Sequence, residues 1–406
     1  MRAHPLRHPS TALHHKETKP LQSQPLSTRL PFITTMPKAV GTGIIIQSGE
    51  PFDEELERSL CETVSDFESA FSRFSATSKV GMIARGDFGS IGGSSCDIDG
   101  SSCDISGSDG SGGSDGSGGD TIATAGRGKT RMIAFPDYAA ALFDIYDTFH
   151  AATGGAFDPC IASALVRLGY GPDLAISAHA NSTGAISMGS PGSASTTGPT
   201  GSAGSTGFTN PSGFRDSATA APRWGRDVTH EGPVLILRGT AADGVSLDFG
   251  AAGKGFLVDL LSRQIAGRMP GCDYVIDAGG DMYTTMDITV AMESPWDDTE
   301  AVGVVQLPAG SALCASSPSR RHWTVADSLQ QVHHLLDALT GEPVRTVAAS
   351  WCMVPAGSRD WPTGWCDAQS TAAFLGLTHG FPFARIMSDG STQVSPHFPA
   401  RLHYQN

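Results

Sequence analysis

Leu56, Leu60, Val64, Phe67, Phe71 and Phe74 recur at steps of three and four. That period gathers apolar side chains on one face, so 53–74 is predicted to be an amphipathic helix. Tyr138, Leu142, Tyr146 and Phe149 repeat the pattern, with Asp137 after Pro136 at the start and Gly154-Gly155 as the stop. A third helix is predicted from near Gly255 through Phe256, Leu260, Leu261 and Ile265 to Pro270-Gly271, and a fourth from Cys366. Apolar runs at Thr42–Ile46, Pro233–Leu237, Tyr274–Ile276, Val302–Val305 and Val347–Met353 read as strands. The elements mix without a strict βαβ alternation, which predicts an α+β class: mixed sheets flanked by helices.

Two stretches break the pattern. Residues 88–128 hold Ser-Ser-Cys-Asp-Ile twice, at 94–98 and 101–105, followed by Ser/Gly/Asp units; 173–225 is rich in Gly, Ser, Thr, Pro and Ala. Neither offers enough apolar surface to offset its ordering entropy, so both read as disordered insertions. Gly112-Gly113-Ser114-Asp115-Gly116 fits the nucleophile-elbow pattern GxSxG, but no buried strand precedes it and no helix follows, so the match is compositional. Residues 1–35 carry Arg2, Arg7, Lys16, Lys19 and Arg29 against the single acid Glu17 and read as a disordered basic tail, with Met36 as a candidate start. Without these parts the chain is about the upper size of one domain, expected over 36–390, with a short tail over 391–406.

Composition then narrows the function classes. With 41 acidic against 27 basic side chains, net charge −14, the chain lacks the basic surface that nucleic-acid binding requires. The eight cysteines are scattered with no CxxC pair, as expected of reduced thiols inside the cell. No apolar run approaches the roughly 18 to 20 residues needed to span a bilayer. The expected location is cytoplasmic, with a mitochondrial transit peptide in 1–35 as the alternative.

Five short segments hold candidate chemistry. Ser246–Phe256 places Asp248 at a strand end, then small residues, then Lys254 at a helix start, where amides and ammonium together suit phosphate oxygens. It is not a Walker A loop, because Gly255 follows Lys254 and Asp248 stands where the first glycine belongs. Asp277-Ala278-Gly279-Gly280-Asp281 and Thr153–Pro159 read as turns at element ends. In Cys366–Leu375, Asp367 and Thr371 lie one helical turn apart, two hard oxygen ligands able to complete a Mg²⁺ site with phosphate and water, or else a helix-start acid beside a packed hydroxyl. His334 precedes an Asp-led turn in HLLDALTGEPV.

The order TGGAFDP, LDFGAAGKGFLVD, IDAGGDM, HLLDALTGEPV and DAQSTAAFLGL resembles the ApbE family, flavin transferases that move FMN from FAD onto a protein threonine or serine. Val40-Gly41-Thr42, close to the family's Met-Gly-Thr, and Ser72-Arg73-Phe74 with Ser78-Lys79-Val80 extend the likeness from about Val40 to Leu377. The resemblance implies Mg²⁺ on the Ala251 carbonyl and the Asp367 and Thr371 side chains. It implies FAD contacts from Val40, Phe74, Ala156, Phe157, Asp158, Asp248, Lys254 and the backbone near Leu336, with Lys254 and His334 as the catalytic pair. Three departures are visible: Val40 for a methionine expected on the flavin ring, Ala315–Arg321 for Thr-Ser-Gly-Asp-Tyr-Arg-Arg, and Ala338 for a proline.

The expected reaction is Mg²⁺-dependent FMN transfer from FAD to an acceptor protein, releasing AMP. The same residues also suit an FAD pyrophosphatase giving FMN and AMP, and a flavin carrier without turnover is the remaining alternative. Asp216-Ser217-Ala218-Thr219 distantly resembles an acceptor motif, a match that chance explains in a Ser/Thr/Ala-rich loop.

Overall fold

The computed structural model describes residues 25–91, 94–96, 129–171, 221–325 and 330–403. An antiparallel sheet of eight strands forms its middle layer. The strand order is β1 (Phe32–Met36), β2 (Ile44–Ser48), β7 (Tyr274–Asp277), β8 (Asp281–Thr284), β11 (Ala312–Ser316), β16 (Val347–Val354), β17 (Phe383–Met387) and β18 (Thr392–Val394). Alternation along each strand sorts its two faces. Tyr274 and Ile276 join the core under the helices, while Val275 between them joins the opposite core with Leu313, Trp351 and Met353.

The helical face carries α6 (Gly250–Arg268) and α7 (Pro362–Phe374), with α2 (Glu54–Phe71) and α4 (Ala139–Ala152) packed around α6. On the other face lies a three-stranded sheet, β9 (Ile288–Glu293), β10 (Ala301–Leu307) and β19 (Ala400–Leu402), over Leu30, Met292 and Val305. A four-stranded sheet, β3 (Ser94–Cys96), β4 (Thr130–Ala134), β6 (Val234–Arg238) and β5 (Val228–Glu231), completes the helical side. Two ribbons, β12 (His322–Thr324) with β13 (Gln331–His333) and β14 (Leu336–Asp337) with β15 (Glu342–Pro343), flank the segment that holds His334. Short helices α1 (Leu26–Arg29), α3 (Lys79–Arg85) and α5 (Ala162–Arg167) fill the connections. The class is α+β, as expected.

Helix boundaries moved where local chemistry overrides period. The first predicted helix ends at Phe71, because Ser72 turns extended and Ser78 caps α3; Phe74 therefore leaves the helix. Helix α6 begins at Gly250, five residues earlier than expected, where Asp248 Oδ1 accepts the Gly250 N–H at 2.6 Å. Asp248 itself lies in irregular chain, not at a strand end. Helix α7 begins at Pro362, so Asp367 stands inside the helix and is not its N-terminal acid. Almost all of α7 is buried, which erases the amphipathic period that would have located it.

The expected domain edges also shift. Within 1–35, Leu26–Arg29 is helical, Leu30 is buried and Phe32–Met36 pairs with β2. Within 391–406, β18 and β19 pair with β17 and β10. Phe88 and Trp224, placed at the ends of the two insertions, are core residues. Ser94–Cys96, inside the first expected insertion, is strand β3 and pairs with β4, while 97–128 and 173–220, with Gly112–Gly116 and Asp216–Thr219, lie outside the described residues.

Candidate active site

A cavity of about 910 Å³ opens beside the N-terminal turns of α6, the β7–β8 turn and the inner face of α7. That is the upper range for small-molecule sites. Its charged end is built where α6 and α7 cross. Gly255 makes the crossing possible: a Cβ there would lie 2.2 Å from the Thr363 carbonyl oxygen and 2.8 Å from Asp367 Cβ. With the helices this close, the Gly255 N–H donates to Asp367 Oδ2 at 3.1 Å. In an α-helix that amide faces the carbonyl of Ala251, so the bond to Asp367 competes for it.

Lys254 projects into the same corner. Its Nζ lies 3.0 Å from Asp281 Oδ2 and 3.4 Å from Asp367 Oδ2, and it donates to the Gly250 carbonyl at 3.2 Å. Burial alone would depress the ammonium, but Asp281 and Asp367 more than offset it and its pKa rises. Asp281 is 1% exposed, and among the described residues its carboxylate oxygens have no partner but this ammonium. Burial first, then the Asp367 charge, pushes its carboxyl up to about 7 against the pull of Lys254. Thr371 Oγ1, one turn beyond Asp367, lies 3.2 Å from Ser316 Oγ, and both line the cavity.

The helix-start amides do not form the free anion seat expected from sequence. Gly250 N–H is held by Asp248, and those of Ala252 and Gly253 by the Phe249 carbonyl at 3.4 and 2.8 Å. Asp248 is engaged as well: Oδ2 pairs with Arg73 Nε at 2.6 Å. Arg73 was quoted in the sequence only as part of a motif, yet it organises the other end of the cavity. Its guanidinium lies 4.2 Å from the Phe74 ring centroid and 4.5 Å from that of Tyr170, and Nη1 donates to the Tyr170 carbonyl at 2.9 Å. Tyr170 stacks on Trp323 at 5.1 Å. Phe74, 37% exposed, is thus a cavity ring held edge-on by Tyr170 at 5.6 Å.

The Ala156-Phe157-Asp158 turn lines the cavity, and the Phe157 and Asp158 side chains are also engaged elsewhere. Phe157 packs on Tyr146 and Phe149, and Asp158 accepts the N–H groups of Cys160 at 2.8 Å and Trp224 at 3.2 Å. The Ala156 carbonyl accepts from Ala338 at 3.0 Å, tying this turn to the segment of buried Leu336. Val40 also lines the cavity, with φ 44°, rare for a β-branched residue; Glu68 Oε1 holds its N–H at 2.8 Å.

His334 borders the cavity between β13 and β14. Its Nδ1 lies 3.4 Å from the Arg321 carbonyl, which can only accept, so Nδ1 carries the proton and Nε2 is the free base. Burial, then the nearby Arg321 charge, holds the imidazole well below its usual pKa, so it is neutral at pH 7. Sequence reasoning missed the roles of Arg73, Tyr146, Tyr170, Asp281 as a carboxylate facing Lys254, and Arg321; Arg73, Asp281 and Arg321 stood in motifs and Tyr146 in a predicted helix, whereas Tyr170 carried no signal.

The sequence profile of the ApbE family matches residues 119–391. The chain belongs to the ApbE family. Solved structures agree with this at the level of fold. An ApbE protein from Thermotoga maritima superposes with TM-score 0.59 at 16% identity, covering 90% of this chain and 97% of its own. Flavin transferase ApbE from Vibrio cholerae gives 0.56 at 14% identity, with 90% and 97% covered, and the Pseudomonas stutzeri flavinyl transferase ApbE gives 0.56 at 17%, with 90% and 94%. No curated sequence matches the chain. Among the described residues no helix is long and apolar enough to cross a membrane.

Proposed function

We propose that this ApbE-family chain is a Mg²⁺-dependent FAD:protein FMN transferase, moving FMN from FAD to a threonine or serine hydroxyl of an acceptor protein and releasing AMP. The observation that carries this reading is the convergence of Asp367 and of Lys254, backed by buried Asp281, at one end of a large cavity whose other end is aromatic. A dinucleotide with a planar ring system and a pyrophosphate needs both ends.

Among the described residues no cluster of three or more His, Cys, Asp or Glu is arranged to hold a metal ion. The donors present nonetheless suit a hard cation that takes its remaining ligands from phosphate. Among the described residues the buried Asp281 oxygens have the Lys254 ammonium as their only partner, and Ala251, Asp367 and Thr371 line the cavity together with Lys254. Asp367, Thr371 and Ala251 would hold Mg²⁺, which would neutralise charge developing on the pyrophosphate. Asp281 is an additional candidate, not foreseen as a ligand.

Transfer forms a bond between the acceptor oxygen and the FMN-side phosphorus and breaks the anhydride bond to AMP. The acceptor proton must go to a base, and His334 Nε2, neutral and unprotonated, fits that role. Lys254 contributes positive charge toward the phosphates. Arg73, Phe74 and Tyr170 offer faces for a ring.

Binding and rate separate these roles. His334→Ala is expected to keep FAD affinity within threefold and to lose about two to four orders of magnitude in AMP release, the usual worth of a general base. Lys254→Ala is expected to weaken both, because it meets ligand charge before reaction. A His334→Ala variant that loses FAD affinity but keeps its rate at saturating FAD would remove His334 as the base.

A further inference from the structure

Asp259 lies five residues, about one and a half turns, beyond Lys254 on α6 and does not line the cavity. Its side chain is 3% exposed overall, yet both oxygens are occupied by the start of the neighbouring helix: Oδ1 accepts the Thr363 N–H at 3.0 Å and Oδ2 the Gly364 N–H at 2.8 Å. These are orphan amides of the first turn of α7, which its own preceding residue, Trp361, does not cap. Trp361 takes a left-handed conformation, φ 58° and ψ 51°, rare for a bulky residue, and is held between α6 side chains: it stacks on Phe256 at 4.4 Å and lies 3.7 Å under the Arg263 guanidinium. The far end of α7 is fixed in the complementary sense. Buried Arg385 donates through Nη1 to the Ala373 carbonyl at 2.8 Å. A buried acid at the N-terminus and a buried base at the C-terminus both oppose the helix dipole.

Between these two anchors stand Asp367 and Thr371. We propose that Asp259 is a positioning residue of the transfer site: by holding the first two N–H groups of α7 it sets where Asp367 and Thr371 meet Lys254 and the bound phosphates. The inference rests on the transferase reading above and adds a residue that touches neither ligand nor reacting atoms.

The hold depends on charge. A carboxylate offers two acceptors to two N–H groups, whereas a protonated or amide side chain turns one of them into a donor facing an N–H. Burial pushes Asp259 up to about 7, against the opposing N–H groups of Gly364 and Thr363 and the Arg263 charge. Tyr283 of β8 also senses its charge, and Asp360 lies beyond Arg263 at 3.7 Å. The grip on α7 should therefore loosen as pH falls through neutrality.

The test compares wild type with Asp259→Asn. In the ligand-free protein at pH 8, hydrogen exchange of peptides covering 362–374 should speed at least tenfold in the variant, while those of α2 stay within threefold. FAD affinity measured without Mg²⁺ should stay within threefold, and the Mg²⁺ concentration for half-maximal AMP release should rise at least tenfold. Wild-type rate should fall below about pH 7, and the variant should lose that limb. Unchanged α7 exchange together with an unchanged Mg²⁺ requirement would overturn the proposal. If the variant does not fold, wild type decides alone: exchange of 362–374, corrected for its intrinsic pH dependence and referred to α2, must speed at least tenfold from pH 8 to pH 6, and no change refutes it. AMP release by wild type without Mg²⁺ would instead sink the transferase reading, a result separable from the exchange measurement because that needs neither ligand.

Discussion

Replacing Gly255 by alanine tests the helix crossing on which the site depends. The added Cβ would lie 2.2 Å from the Thr363 carbonyl oxygen, 2.7 Å from its carbon and 2.8 Å from Asp367 Cβ. Two of these are backbone atoms that cannot rotate away, so α6 and α7 must part by about 1 Å to restore normal contact. Overpacking of this kind costs about 1–3 kcal/mol, and parting also strains the charge-assisted bond from Gly255 N–H to Asp367, worth about another 1–2 kcal/mol. Gly267, on the same helix, supplies the control: nothing lies within 4 Å of its added Cβ. There alanine should be neutral or stabilise by up to about 1 kcal/mol, through helix propensity alone. At about 2–4 °C per kcal/mol for a domain of this size, thermal melts should place G255A roughly 4–20 °C below wild type and G267A at or slightly above it. Movement of Asp367 by about 1 Å should cost on the order of a hundredfold in AMP release. Equal melting temperatures for the two variants would refute the packing argument.

Asp367→Ala should abolish Mg²⁺-dependent AMP release while retaining the fold, since Lys254 keeps Asp281; wild-type rates across a Mg²⁺ titration would contradict it. Because His334 is held well below its usual pKa, the folded protein binds fewer protons there than the unfolded chain below about pH 6.5, so stability should rise with pH through that window and flatten in His334→Gln, read by urea melts at pH 5 and 7. Replacing 97–128 by a short Gly/Ser linker should leave FAD affinity within threefold, whereas extending the deletion to residue 88 removes buried Phe88 and should cost about 3–5 kcal/mol in the same melts.

The fold was legible where one face of an element is buried. Leu56 to Phe71 and Tyr138 to Phe149 repeat at helical spacing because α2 and α4 each show one side to the core. Helix α7 is buried nearly all round and begins at Pro362 through a cap, Asp259, over a hundred residues away in the chain; no local period or cap signal could place it. Phe32–Met36 and the strand at Ala400–Leu402 were hidden for another reason. Each is a short strand owing its existence to pairing with β2 or β10. The site was partly legible through its glycines. Gly279 and Gly280, with φ 69° and 101°, make the turn that places Asp281, and a Cβ on Gly279 would meet Thr42 at 2.8 Å. The facing of Asp281 to Lys254, and of Arg73 to Asp248, arises from chain crossings that spacing does not encode.

The most direct measurement is incubation of the purified full chain with FAD, Mg²⁺ and a candidate acceptor protein, followed by intact mass and AMP on the same sample. The account predicts one AMP released for each acceptor that gains one FMN, with neither product formed when Mg²⁺ is chelated. AMP released together with free FMN and an unmodified acceptor, or FAD bound without any AMP, would contradict it.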